Sequence, residues 1–224
     1  FLRFAFCFPD TYEIGMSNLA LRIIYHLLNQ RDDVWCEHAF APWVDLAEKL
    51  RAEKLPLFAL ESRSPLSEFD LLGFTLQYEL SFTSVLDMLD LGGVPLLSSG
   101  RALGDPFVLA GGPAVYNIEP MAEVFDLAII GEAEEVLHEL VEVYLAWKSS
   151  GPDRTREQFL LQACQLEGVY VPSFYDVTYL EDGRVATIRP NQPNVPATVK
   201  KRIVLDLDQL PDLTDSLVPN TEIV

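Results

Sequence analysis

The side chains best equipped for chemistry fall where apolar runs of the chain end. Asp10, Tyr12, Glu13 and Gly15 follow "LRFAFCF"; Thr75, Gln77 and Glu79 follow "LLGF"; Gly111 and Gly112 follow "FVLA"; Gly131, Glu132 and Glu134 follow "LAII". Carboxylates there can exchange protons, a hydroxyl and an amide can orient a ligand, and glycines let a ligand approach the backbone. Each also has a plainer use. Gly111-Gly112 can simply turn the chain, Glu132 and Glu134 can sit at the positive end of a helix dipole, and Asp10 can cap a helix. There is no nucleophile elbow, phosphate loop or G-x-G-x-x-G, and His26, His38 and His138 lack metal-ligand spacing. Cys7, Cys36 and Cys164 form no C-x-x-C. The pattern is that of a binding edge without a self-sufficient catalytic set.

The elements that must position these residues alternate. Strand-like runs are expected at "LRFAFCF", "VWCEHAFA", "LPLFALES", "FDLLGFTLQ", "PFVLAGG" and "FDLAIIGE". Helical spacing is expected over 16–30, "WVDLAEKLRAEK", 80–91 and "EAEEVLHELVEVYLAWK". Continuous apolar strands alternating with helices imply an open, mostly parallel, doubly wound α/β sheet over residues 1–150. Ligands of such sheets bind beyond the carboxyl ends of the strands, where the polar residues lie. Residues 151–224 are expected to form an appendage: a helix with a Thr155/Gln158 capping box, a β-hairpin over "VYVPSFYDVTYLEDGRVATIRP" turning at Asp182-Gly183, and an extended linker from Pro190.

Composition narrows the partners. Thirty-four acidic residues against sixteen basic give a net charge of −18 over 224 residues. That field repels phosphate backbones, so nucleic-acid binding by this segment alone is not expected. No apolar run is long enough to cross a membrane. Three widely separated cysteines favour a reducing compartment, hence the cytoplasm. Both ends of the sequence read as cut, and the chain is expected to be a piece of a longer protein.

Taken in order, several segments resemble the N-terminal, cobalamin-binding-like domain of radical S-adenosylmethionine (radical SAM) proteins. They are "FPDTYEIGMSNLALRIIYHLLNQ", "APWVDL", "PLFALESRSPLSEFDLLGFTLQYELSFTSVLDMLDLGGVPL", "AGGPAVYNIEPMAEVFDLAIIGEAEEVLHEL", "GVYVPSFY" and the L-D-x-L-P tail. The resemblance implies a flavodoxin-like fold, a radical SAM barrel in the same polypeptide as partner, and a 4Fe-4S cluster and S-adenosylmethionine held by that missing C-terminal part. It also implies a cobalamin site at the carboxyl edge formed by Asp10, Tyr12, Gly15, Thr75, Gln77, Gly111, Gly112, Gly131 and Glu132. Cobalamin domains of this fold often carry D-x-H-x-x-G, whose histidine ligates cobalt. Here Asp10-Thr11-Tyr12-Glu13-Ile14-Gly15 places Tyr12 at the ligand position, and a neutral phenol replaces imidazole poorly. The S-x-L element matches only through Thr75; the Gly-Gly pair matches as Gly111-Gly112.

Three readings follow. An accessory domain binding cobalamin without a histidine ligand requires a roomy cavity over Gly111-Gly112. An interaction module that has lost the cofactor fills that edge with Tyr12, Tyr78 and Tyr116. A free-standing acid–base enzyme brings Asp10, Glu13, Glu79 and Glu132 together in one cleft.

Overall fold

A computed structural model describes residues 1–206 and residue 208. The chain begins with β1 (Leu2–Phe8), a short helical turn α1 (Tyr12–Gly15), α2 (Leu19–Asn29), β2 (Val34–Phe40) and α3 (Val44–Glu53). β3 (Leu71–Thr75), α4 (Phe82–Leu91), β4 (Phe107–Gly111), β5 (Leu127–Ile129) and α5 (Val136–Lys148) complete the alternation. Then come α6 (Arg156–Ala163), β6 (Val169–Tyr170) and a hairpin of β7 (Tyr175–Tyr179) and β8 (Val185–Pro190). Six strands form one sheet in the order β2-β1-β3-β4-β5-β6; the first five are parallel and β6 runs antiparallel to β5. The hairpin forms a separate two-stranded sheet. The architecture is the expected one: α/β, open, mostly parallel and wound on both faces.

Alternation along each strand explains the two-sided core. Leu2, Phe4, Phe6 and Phe8 of β1 face one side and pack with Leu21 and Ile24 of α2, Leu140 and Tyr144 of α5 and Phe159 of α6. Ala5 and Cys7 face the other, where Leu50 of α3 and Val85 and Met88 of α4 cover the sheet. Each fully buried large side chain of this kind contributes about 1.5–3 kcal/mol. The first core continues past residue 150, through Phe159, Leu160, Ala163 and Val169.

Local signals fix several boundaries. The Asn18 side chain accepts from the Leu21 N–H at 3.1 Å and starts α2. Thr155 and Gln158 form the expected capping box at α6, and the hairpin turns through Asp182 and Gly183.

Three elements differ from expectation. "LPLFALES" makes a single antiparallel bridge, Phe58 to Pro65, rather than a strand. Its backbone donors go elsewhere, Leu57 N–H to the Leu91 carbonyl and Leu60 N–H to that of His38. The run expected as one hairpin splits at Pro172, which has no N–H to continue a ladder. Val169 and Tyr170 join the main sheet instead. Finally, α5 starts at Val136, and Glu132 to Glu135 precede it, because Glu132 N–H bonds the distant Arg202 carbonyl at 3.1 Å. The L-D-x-L-P tail lies, except for Asp208, outside the described residues.

The amino edge of the sheet is closed by satisfied charges. Asp126, just before β5, accepts from Arg101 at 2.7 Å, Arg156 at 2.9 Å and the Val108 N–H at 2.7 Å. Asp70, before β3, accepts from Tyr144 Oη at 2.7 Å, Lys148 at 2.8 Å and the Arg3 N–H at 2.8 Å. The carboxyl edge is built differently, and there the candidate site lies. Among the described residues no helix is long and apolar enough to cross a membrane.

Candidate functional site

The strand order reverses between β1 and β3, the position at which open α/β sheets leave a crevice. Two adjoining cavities open there. The larger, about 380 Å³, lies on the α2/α5 face above the carboxyl ends of β3, β4 and β5. Register shapes it: Thr75 pairs beside Gly111, so the carboxyl ends of β3 and β4 carry little or no side chain toward α2 and α5. Phe4 and Phe6 of β1, Leu19 and Ile24 of α2 and Leu137 of α5 supply apolar walls. A volume of this size and polarity is that of a small-molecule pocket.

The two glycines of the expected Gly-Gly pair do different things. A Cβ on Gly111 would meet nothing nearer than the Phe74 carbonyl at 4.0 Å, so its missing side chain is open cavity. Gly112 has φ +92° and ψ −179°, a conformation essentially confined to glycine. A Cβ there would lie 2.7 Å from the Leu76 carbonyl oxygen. Gly112 thus turns the chain, and Gly111 leaves the space.

The polar rim comes from several loops. Thr75 Oγ1 accepts from Gln77 Nε2 at 2.9 Å, and both line the larger cavity with Asn18 and Glu132. Glu132 accepts the Val204 N–H through its carboxylate. Gly131, at φ +110°, bridges in parallel to Arg202, whose backbone occupies the space of a Gly131 side chain. The connector 200–204 is therefore strapped to the edge beside the cavity. Arg202 completes the strap with ion pairs to Glu135 and Glu139, each at 2.7 Å. Across the edge, Glu119 of the N-x-E-P run accepts from Tyr170 Oη at 2.6 Å, tying that loop to β6. Burial, and then this bond, push the Tyr170 phenol up from its usual value.

The smaller cavity, about 280 Å³, sits over the β1/β3 reversal and shares Asn18, Thr75 and Gln77 with the larger. Asp10, Ser17 and Tyr78 line it. Asp10 Oδ1 also accepts the Thr11 N–H at 2.7 Å.

Of the nine residues singled out in the sequence, six line the larger cavity: Thr75, Gln77, Gly111, Gly112, Gly131 and Glu132. Asp10 lines the smaller. Tyr12 and Gly15 line neither. The Tyr12 ring stands edge-on to Phe40 at 5.3 Å. A Cβ on Gly15 would lie 2.6 Å from Phe40, so Gly15 allows the α1 turn to pack on β2. The three tyrosines that would block the edge stay exposed, Tyr12 by 42%, Tyr78 by 49% and Tyr116 by 62%, and none lines the larger cavity. The four carboxylates of the acid–base reading do not meet: Asp10 and Glu132 line different cavities, while Glu13 and Glu79 line neither. Sequence reasoning missed Asn18, Gly73 and Arg202; the helix-capping asparagine was the one local signal available.

The donor set suits an organic ligand, or the part of one that a cavity of about 380 Å³ holds: an open glycine floor, apolar walls, and a hydroxyl, two amides and carboxylates around the rim. It contains no imidazole. Among the described residues, no three His, Cys, Asp or Glu side chains converge as a metal site would need.

The family model described as "Radical SAM proteins, N-terminal" matches residues 20–172. That span holds the six cavity-lining candidates and begins after Asp10, Tyr12 and Gly15. No curated protein matches the chain. Among solved structures, the radical S-adenosylmethionine methyltransferase TsrM from Kitasatospora setae, with tryptophan substrate and a SAM analogue bound, aligns with a TM-score of 0.45 and 14% identity. The alignment covers 83% of this chain and 30% of that one, so the chain spans less than a third of that protein's length.

Proposed function

From the premise that this chain belongs to the family of radical SAM N-terminal domains, we propose that it is an accessory domain that binds cobalamin at its carboxyl edge, without a histidine ligand to cobalt, and packs there against the radical SAM domain of the same polypeptide. The observation that carries the reading is the open, apolar cavity over Gly111. When bound, cobalamin supplies a cobalt centre able to carry an alkyl group; the chain's residues hold and orient it. Thr75, Gln77 and Asn18 offer hydroxyl and amide partners, Gly111 the flat floor, and Asp10 a carboxylate in the adjoining cavity. The iron–sulfur cluster and S-adenosylmethionine belong to the radical SAM domain. The strap at Gly131 supports docking at this edge, since it leads the chain past the cavity to Leu205, which is 95% exposed.

A second reading, an interaction module without cofactor, is favoured by the apolar side chains exposed on the loops of this edge, notably Leu80 and Tyr116. An absorbance titration of the full-length polypeptide with hydroxocobalamin separates the two. Gly111→Leu is the blocked-site control, because its Cβ is accommodated and its branch enters the cavity. Saturable binding by the wild type that Gly111→Leu abolishes supports the cofactor reading. Absence of binding in a folded wild-type protein supports the interaction module.

A further inference from the structure

The cavity wall at the end of β5 is held from outside the sheet. β4 pairs with β5 as far as Ala128, and β6 as far as Ile129. Ile130, Gly131 and Glu132 lie past both ladders, yet Gly131 and Glu132 line the cavity. Among the described residues, the Gly168 carbonyl accepts the Ile130 N–H at 2.7 Å, and the other backbone partners of this segment come from the strap. Arg202 donates its N–H to the Ile130 carbonyl at 2.9 Å and accepts the Glu132 N–H at 3.1 Å. The Val204 N–H closes on the Glu132 carboxylate. The Arg202 side chain reaches on to Glu135 and Glu139 at the start of α5, whose Leu137 belongs to the same wall. Arg202 itself does not line the cavity. Between strap and cavity stands Gly131, where a Cβ would lie 2.1 Å from the Arg202 carbonyl oxygen. Deprived of these partners, a glycine has a wider choice of backbone conformations than any other residue.

We propose that strap and cavity are coupled: the closed strap holds the wall at Gly131 and Glu132 in its binding shape, so ligand binding and strap closure favour each other. A bound ligand thereby fixes where the chain leaves this domain, and a strap pulled away lowers the affinity of the site. The inference rests on the reading above in requiring a ligand over Gly111, and it adds what occupancy does to the connector. The coupling is one free energy shared by two equilibria, so it acts on both by the same factor.

The test uses the full-length polypeptide with hydroxocobalamin as the probe. In the wild type, saturating hydroxocobalamin is expected to slow amide exchange at Arg202 and Val204 at least about five-fold, with the β7–β8 hairpin unchanged. Arg202→Pro removes both the N–H to Ile130 and the ion pairs, and does so from a residue outside the cavity lining. It is expected to bind hydroxocobalamin more weakly by that same factor. Arg202→Ala keeps the backbone bridge and is expected to lose less. Exchange at Arg202 and Val204 that is unchanged or faster, in a wild type whose segment 111–115 is protected, overturns the coupling and leaves the cobalamin reading standing. So does wild-type affinity in a folded Arg202→Pro. The exchange measurement needs no variant, so it decides even where Arg202→Pro fails to fold. No saturable binding by folded wild type overturns the cobalamin reading and this inference with it.

Discussion

Adjacent glycines at the end of β4 are predicted to respond to the same substitution with opposite signs. At Gly112, alanine must adopt φ +92°, a region open essentially to glycine, at a cost of about 1–3 kcal/mol. Its Cβ also meets the Leu76 carbonyl oxygen at 2.7 Å and the Leu76 nitrogen at 3.0 Å, both backbone atoms with little room to move. Together these predict a loss of about 2–4 kcal/mol for Gly112→Ala, the upper end including backbone rearrangement. At Gly111 the backbone is ordinary strand, and a new Cβ finds no atom nearer than 4.0 Å. Gly111→Ala removes entropy from the unfolded chain without strain and is predicted to stabilise by about 0.4–1 kcal/mol. Equilibrium urea unfolding with unchanged slope measures both. Thermal midpoints move by roughly 2–4 °C per kcal/mol in a chain of this size. If both variants shift the same way, or if Gly112→Ala lies within about 0.5 kcal/mol of wild type, the assignment of turn to one glycine and open space to the other is wrong.

Further outcomes follow from the amino edge, the ionisable core and the strap. Asp126→Ala strands the wholly buried Arg101 guanidinium, whose carboxylate partner is 3% exposed, and is predicted to cost about 3–5 kcal/mol by urea unfolding; a loss under about 1 kcal/mol contradicts the network's role. Burial pushes the Cys7 and Cys36 thiols and the Tyr144 and Tyr170 phenols up, Tyr144 helped by Asp70 and Tyr170 by Glu119. Their folded values lie above the unfolded ones of 9.0 and 10.0, so folding retains protons that the unfolded chain releases. The stability is fully present below about pH 9 and is lost as pH rises from there; a melting temperature flat from pH 8 to 11 contradicts this. Arg202→Ala removes two partly exposed ion pairs and is predicted to cost no more than about 1 kcal/mol globally, while amide exchange at Arg202 and Val204 accelerates; unchanged exchange shows that the backbone bridge alone holds the strap.

The sheet was legible because strands buried on both faces announce themselves as unbroken apolar runs, as in Leu2–Phe8, and because α6 carries its own start signal at Thr155. The location of the candidate cavity was legible for the same reason: polar residues clustered where those runs stop. What the sequence concealed depends on register and on contacts between distant segments. Nothing local marks Gly73 as the floor beneath the Phe4 ring, where a Cβ would lie 2.5 Å from Phe4 Cζ. Gly131 resembles a ligand-binding glycine until Arg202, seventy-one positions later, occupies the space beside it. Tyr12 stands at the spacing of a metal ligand, yet it packs edge-on to Phe40 and lines neither cavity. "LPLFALES" has the composition of a strand, but its backbone donors are taken by Leu91 and His38.

Occupancy of the cavity over Gly111 by a cofactor has a direct readout. Hydrogen exchange of the full-length polypeptide, with and without saturating hydroxocobalamin, locates the ligand directly. Slowed exchange is expected in segments 75–77, 111–115 and 132–137, which border the cavity, with little change at the amino edge. Protection absent from those three segments, or confined to the β7–β8 hairpin or the amino edge, contradicts it.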